Sequence, residues 1–131
     1  MARKQYFKGI DSEELVNMDT NRVLSLIPSR SRRVIKSGLN DSQKRLMAKV
    51  KLAREGKYQK EIRTHCRATV IVPEMLTLII QVHNGKEFVP VHITHEMIGQ
   101  RLGEFAMTRK SLKHSAPGIG ATKSTSSVSV K

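Results

Sequence analysis

The chain has 131 residues, with 24 Lys or Arg against 11 Asp or Glu, a formal net charge of +13 and an isoelectric point near 10.4. That length suits one domain with a modest core. A single cysteine, Cys66, excludes an intramolecular disulfide and a multi-cysteine zinc site, and the apolar runs around 70–72 and 78–80 fall far short of the roughly 20 residues a membrane helix needs.

The positive charge is segregated. Residues 1–27 balance four basic against four acidic side chains, residues 28–67 carry a net +10, residues 68–98 a net −2 and residues 101–131 a net +5. Self-repulsion at this charge calls for a polyanionic partner, either nucleic acid or an anionic membrane. Residues 2–8 are basic but are not followed by the apolar run of a signal peptide. The membrane reading is therefore set aside, and a cytoplasmic, nucleic-acid-bound protein is expected.

In chain order, residues 11–26 hold a short helical pattern capped by Asp11 or Ser12, with a second turn starting at Asp19. Leu15, Met18, Val23 and Leu26 form its apolar side, and Pro28 closes it. Residues 28–37 place Arg30, Arg32 and Arg33 among serines, which predicts a loop lying along an anionic backbone. Residues 41–55 make the clearest helix, with Asn40 or Asp41 as cap, Gln43 as capping-box partner and Gly56 as stop. Its apolar stripe is Leu46, Met47, Val50 and Ala53, with Lys44 and Lys51 pointing away.

Strand chemistry then takes over. The expected strands are Arg63 to Val72, Thr77 to His83 and Lys86 to Ile93, the last two joined by a two-residue turn at Asn84-Gly85. That turn would set Ile80 opposite Val89 and Leu78 opposite Val91. Pro90 cannot donate to a ladder, so the third strand should be an edge. Residues 94–106 read as a helix capped by Thr94, with Gly99 and Gly103 limiting its length and permitting close backbone approach. Residues 107–131 lose periodicity and read as a basic, flexible tail.

Catalytic chemistry finds little support. His92 and His95 have a chelating spacing and His65-Cys66 adds a thiol, but alternate strand positions point those two side chains to opposite faces. The histidines read better as polar strand edges, or as rings stacked on RNA bases. No second element supplies a base and orienting group for Cys66, and Pro117-Gly118-Ile119-Gly120 lacks the Lys-Ser of a phosphate-binding loop. No catalytic residue, metal or cofactor is assigned.

Phosphate recognition remains. The candidate RNA-binding residues are Arg30, Arg32, Arg33 and Lys36 in the basic loop, Lys44 on the helix, and Arg63 with Arg67, four apart on one strand and so expected on one face. Arg101, Arg109, Lys110, Lys113, His114 and Lys123 continue the set toward the tail. No strand carries paired exposed aromatics, so backbone and shape recognition is favoured over base stacking.

Met97 to Thr122 carries a glycine-x-x-leucine-glycine-glutamate-phenylalanine core (Gly99, Leu102 to Phe105), a basic turn at Lys113-His114, and a Pro-Gly-x-Gly-Ala-Thr stretch from Pro117. This string resembles the carboxy-terminal signature of the small-subunit ribosomal protein nineteen family. Pro28 to Leu39, Arg63 to Arg67, Val72 to Met75 and Asn84 to Phe88 are similar to it as well. The segment before Arg30 is similar to the archaeal and eukaryotic branch. The resemblance implies a structural constituent of the small-subunit head, bound to small-subunit ribosomal RNA. It also implies small-subunit protein thirteen as a neighbour and a tail reaching toward the decoding region, within range of tRNA. A free-standing nucleic-acid-binding module is the alternative.

The expected fold is α+β, a small mainly antiparallel three-stranded sheet packed with short helices. It divides into a helical extension over 1–27, an RNA-binding domain over 28–110 and a basic tail over 111–131.

Overall fold

The computed structural model describes residues 6–112 and Gly118. Two short strands, β1 (Tyr6–Phe7) and β2 (Ile10–Asp11), pair antiparallel around Lys8-Gly9, both at positive φ. Helices α1 (Ser12–Asn17) and α2 (Thr20–Leu26) follow, with Asp11 and Asp19 at their N-caps. Leu15, Val23, Leu24 and Ile27 are buried, while Met18 and Leu26 are half-buried.

The expected basic loop over 28–37 is instead a helix, α3 (Ser29–Lys36), with Pro28 at its N-cap. Pro28 therefore opens a helix as well as ending the preceding one. Arginine and lysine are good helix formers. The deciding factor is a buried side: Ser31 is buried, with Val34 and Ile35 half-buried beside it. The Ser31 hydroxyl donates to the Gly99 carbonyl at 2.6 Å, a contact spanning 68 residues that local reading cannot anticipate.

Helix α4 (Asp41–Arg54) starts as expected. The Asn40 side chain accepts from the Asp41 N–H at 2.7 Å, and the Asn40 N–H donates to Gln43 Oε1 at 3.0 Å, closing a capping box. Leu46 and Val50 enter the core, flanked by Met47 and Ala53.

The sheet has the order β3 (Ile62–Thr64), β4 (Ile79–His83), β5 (Phe88–His92). The fold is α+β as read, but the sheet is mixed: β3 runs parallel to β4, and only β4 and β5 are antiparallel. Pro90 lies on an edge strand, where its missing donor does no harm. The turn between β4 and β5 spans residues 84–87, because the Asn84 side chain accepts from the N–H groups of both Lys86 and Glu87 and holds the wider loop. Only Gly85 there has positive φ. The register becomes Ile80 with Val91 and Val82 with Val89, two residues from the expected pairing. A shift of two keeps every side chain on its own face.

The expected long strand from Arg63 stops at Thr64. The chain turns through 65–69, where Arg67 N–H donates to His65 O and Thr69 N–H to Cys66 O. Residues 67–71 then pair with 99–103: Gly103 N–H to Arg67 O, Leu102 N–H to Thr69 O and Ile71 N–H to Gln100 O, all 2.8–3.0 Å. The expected helix over 94–106 is replaced by two 3-10 turns, His95–Met97 and Leu102–Phe105, because residues 99–103 are committed to this ribbon.

Gly99, at φ +85°, shows why close approach matters. A Cβ there would lie 3.0 Å from Pro28 Cδ and 3.1 Å from Ile27 Cγ2. One apolar cluster results, combining Leu15, Val23 and Ile27 with Leu46, Val50, Ile62, Ile80, Val82, Val91, Ile98 and Leu102. The tail expected from residue 111 lies almost wholly outside the described residues.

Gly99→Ala combines a disfavoured backbone with that contact and is expected to destabilise the chain by about 1–3 kcal/mol. Leu102→Ala, at a fully buried site, should cost about 2–5 kcal/mol. Urea titration of each purified variant measures both.

Candidate nucleic-acid interface

The cations divide into two groups by what their side chains touch. Arg32 Nε donates to Leu24 O at 2.8 Å, and its Nη2 donates to Ser25 O and Ile27 O at 3.2 and 3.1 Å. These carbonyls end α2, which lacks intrahelical donors for them. Arg67 donates to His83 O at 2.6 Å through Nη1, and to Gly103 O and Ala106 O at 2.9 and 2.7 Å through Nη2. A planar fork of donors suits such convergent acceptors. Both arginines are half-buried braces of the fold.

The outward group is larger. Arg30, Arg33 and Lys36 lie three residues apart along α3, so they share one face of the helix, and all are exposed. No acidic side chain pairs with them among the described residues. On α4, Arg45, Lys49, Lys51 and Arg54 are exposed; Lys44 is exposed too, 3.3 Å from Asp41. Such an exposed pair adds little to stability and can exchange for a phosphate. Of the α4 cations, only Lys44 belongs to the RNA-binding set read from the sequence. On a helical wheel Lys44 and Lys51 lie away from the Leu46–Val50 stripe while Arg45, Lys49 and Arg54 flank it, and the placement of that stripe in the core leaves all five exposed.

Arg63 and Arg67 do not share a face, because the chain leaves the strand after Thr64. Arg63 stays outward, 2.8 Å from Glu61 Oε2 and 3.0 Å from Gln81 Oε1. Arg101 is half-buried in the bridge to Val70. Arg109 and Lys110 are exposed, with Lys110 Nζ 3.4 Å from Glu87 Oε1. Lys113, His114 and Lys123 lie outside the described residues.

A cleft of about 190 Å³ between α1, α2, α3 and the 69–74 segment is lined mainly by apolar groups such as Leu15, Val23, Ile27, Val34 and Met47. Cys66 lies elsewhere and is half-buried. Among the described residues no three His, Cys, Asp or Glu side chains gather as a metal site, and no helix is long and apolar enough to cross a membrane.

A small α+β scaffold braced internally by two arginines, with most of its other cations exposed on α3, α4, the sheet and the segment after the last 3-10 turn, is the construction of an RNA-binding component of a ribonucleoprotein. Comparison with known proteins agrees. Residues 33–114 match the family described as ribosomal protein S19. The chain is 45% identical over 126 residues to the small ribosomal subunit protein uS19 of Saccharolobus solfataricus, spanning 95% of this chain and 90% of that protein. The chain belongs to the ribosomal protein S19 family; it is a non-enzymatic structural constituent of the small ribosomal subunit.

Arg67→Ala strands three carbonyls and should destabilise the fold by about 2–4 kcal/mol. Arg67→Lys should restore little, since an ammonium cannot span the same fork. Arg30→Ala, by contrast, should stay within about 0.5 kcal/mol of the natural chain. Denaturant midpoints of the three variants distinguish a brace from a surface charge.

Proposed function

We propose that the chain grips small-subunit ribosomal RNA by its phosphates, through the outward face of α3 and the cations of α4, with Arg63 at the sheet and Arg101 at the ribbon. The observation that carries this reading is the row Arg30, Arg33 and Lys36: three exposed cations on one rigid face, without acidic partners among the described residues. A cationic row with no internal counter-charge matches a polyanion better than it matches solvent. A helix also holds such a row at fixed spacing, so less side-chain and backbone freedom is lost on binding than with a loop.

Arg32 and Arg67 serve this interface indirectly. Arg32 ties the end of α2 to α3 and so sets the angle at which α3 presents its charges. Arg109, Lys110, Lys113, His114 and Lys123 extend the interface along the tail. Residues 28–110 form the RNA-binding domain in this reading, residues 1–27 add apolar groups to its core, and residues 111–131 are the arm. Small-subunit protein thirteen is the protein neighbour and tRNA the ligand within reach of the arm; both rest on family membership.

The Arg30→Ala, Arg33→Ala, Lys36→Ala triple variant tests the proposal. It should remain folded by circular dichroism and bind small-subunit RNA more weakly. Its log–log salt slope should flatten by about 1 for each phosphate that is no longer neutralised. Filter binding across about 50–200 mM salt reads both quantities. An unchanged slope in a folded triple variant would refute a role for α3. Co-sedimentation of the natural chain with small subunits on a sucrose gradient separates a ribosomal constituent from a free-standing binding module.

A further inference from the structure

The sheet has one covered and one open face. Ile62, Thr64, Ile80, Val82 and Val91 point into the core, while the alternate positions Arg63, Ile79, Gln81, His83, Phe88, Pro90 and His92 are exposed or half-buried. At one end of that face three rings meet. The His65 and His83 centroids are 4.4 Å apart and tilted by 38°. Phe88 lies edge-on to both, 5.2 Å from His65 and 4.9 Å from His83. The Arg63 guanidinium sits 5.6 Å from the Phe88 centroid.

We infer that His65, His83 and Phe88, with Arg63 at their side, form a stacking platform for one unpaired base of the bound RNA. The inference rests on the RNA-binding reading above and adds base contact to it.

Four observations support it. His65 is exposed, so a ring packed on His83 along one side still offers its other side to a ligand. His83 is held from two directions: its carbonyl accepts from Arg67, and its Nδ1 accepts from the Gly85 N–H at 3.1 Å. The latter bond leaves Nε2 as the protonated nitrogen of the neutral ring, and hence as a donor to a base edge or a phosphate. The nearby acids are already matched, Glu61 with Arg63 and Glu87 with Lys110. Finally, Arg67 joins His83 O to Ala106 O, so the basic segment containing Arg109 and Lys110 departs from beside the rings. An RNA strand whose phosphates follow that segment passes the platform.

The chemistry selects the ligand. A π-face beside a guanidinium accepts any base, whereas an apolar protein side chain gains nothing from the polar ring edges. Single-stranded RNA loops and bulges are the usual source of bases free to stack on aromatic or histidine rings. The platform escapes a reading of individual strands because its rings come from the 65–69 turn, β4 and β5, one from each.

Full-length chain, His65→Ala and His65→Tyr should be compared for binding to a small-subunit RNA transcript at several salt concentrations. His65→Ala is expected to bind roughly tenfold more weakly with an unchanged salt slope, because stacking releases no counterions. His65→Tyr should recover most of the loss, since a tyrosine ring stacks but lacks the imidazole nitrogens. His65→Ala affinity within twofold of the natural chain overturns the platform, as does failure of His65→Tyr to recover. Natural-chain binding that ignores salt would instead sink the phosphate reading beneath it. As a second measurement, ultraviolet cross-linking of assembled small subunits should leave nucleotide adducts on peptides containing His65, His83 or Phe88. Adducts confined to α3, α4 and the tail would overturn the proposal even if the variants failed to fold.

Discussion

One guanidinium ties three separate segments of this small fold together. Arg67 sits where the chain leaves β3, and its fork reaches carbonyls of His83, Gly103 and Ala106. Those acceptors belong to the end of β4, the last 3-10 turn and the buried residue that caps that turn. An arginine tolerates half-burial there because its charge is spread over a plane of donors, each of which finds a carbonyl. The ribbon formed by 67–71 and 99–103 depends on this tie, and Gly103, whose Cβ would fall 3.0 Å from Arg67 Cβ, leaves the room for it.

The same constraint governs the rest of the charge. A chain with a net +13 gains nothing from packing its cations together. The structure commits Lys8, Arg32 and Arg67 to backbone carbonyls, which carry partial negative charge, leaves Arg101 half-buried, and exposes the other cations among the described residues. Arg32 draws the carbonyl end of α2 to α3, and Ser31 draws α3 to Gly99. The basic helix is thereby fixed against the same segment that Arg67 secures from the other side. A rigid cationic surface follows from interior bonds made by neighbours of the very residues that form it.

A sheet covered on only one side is the other consequence of small size. With 131 residues there is material for one layer of helices and little beyond it. The uncovered face of β3, β4 and β5 then keeps polar and aromatic groups, and the rings of His65, His83 and Phe88 gather where the 65–69 turn folds beside the hairpin. Outward cations and a ring cluster thus share one small domain.

Much of this was legible in the residues alone. The Asn40–Gln43 capping box, the Leu46–Val50 stripe, β4 and β5 with Pro90 at an edge, and the need for close approach at Gly99 all rest on short-range chemistry: cap bonds, side-chain periodicity, a missing donor, a missing Cβ. Charge composition pointed to a polyanion because phosphate affinity needs only cations in quantity, and the motif from Gly99 to Phe105 narrowed that to ribosomal RNA. What the sequence left open was decided at long range. Residues 28–37 become a helix through burial of Ser31 against Gly99, and residues 94–106 lose their helix to the ribbon with 67–71; the hairpin turn is the local exception, widened by two residues through the Asn84 side chain. Arginine itself gives no local sign of its role. Arg30 and Arg32 stand two residues apart in one basic run, yet one faces solvent and the other grips the end of α2, because a helix turns about 100° per residue and only the tertiary packing says which side is the inside.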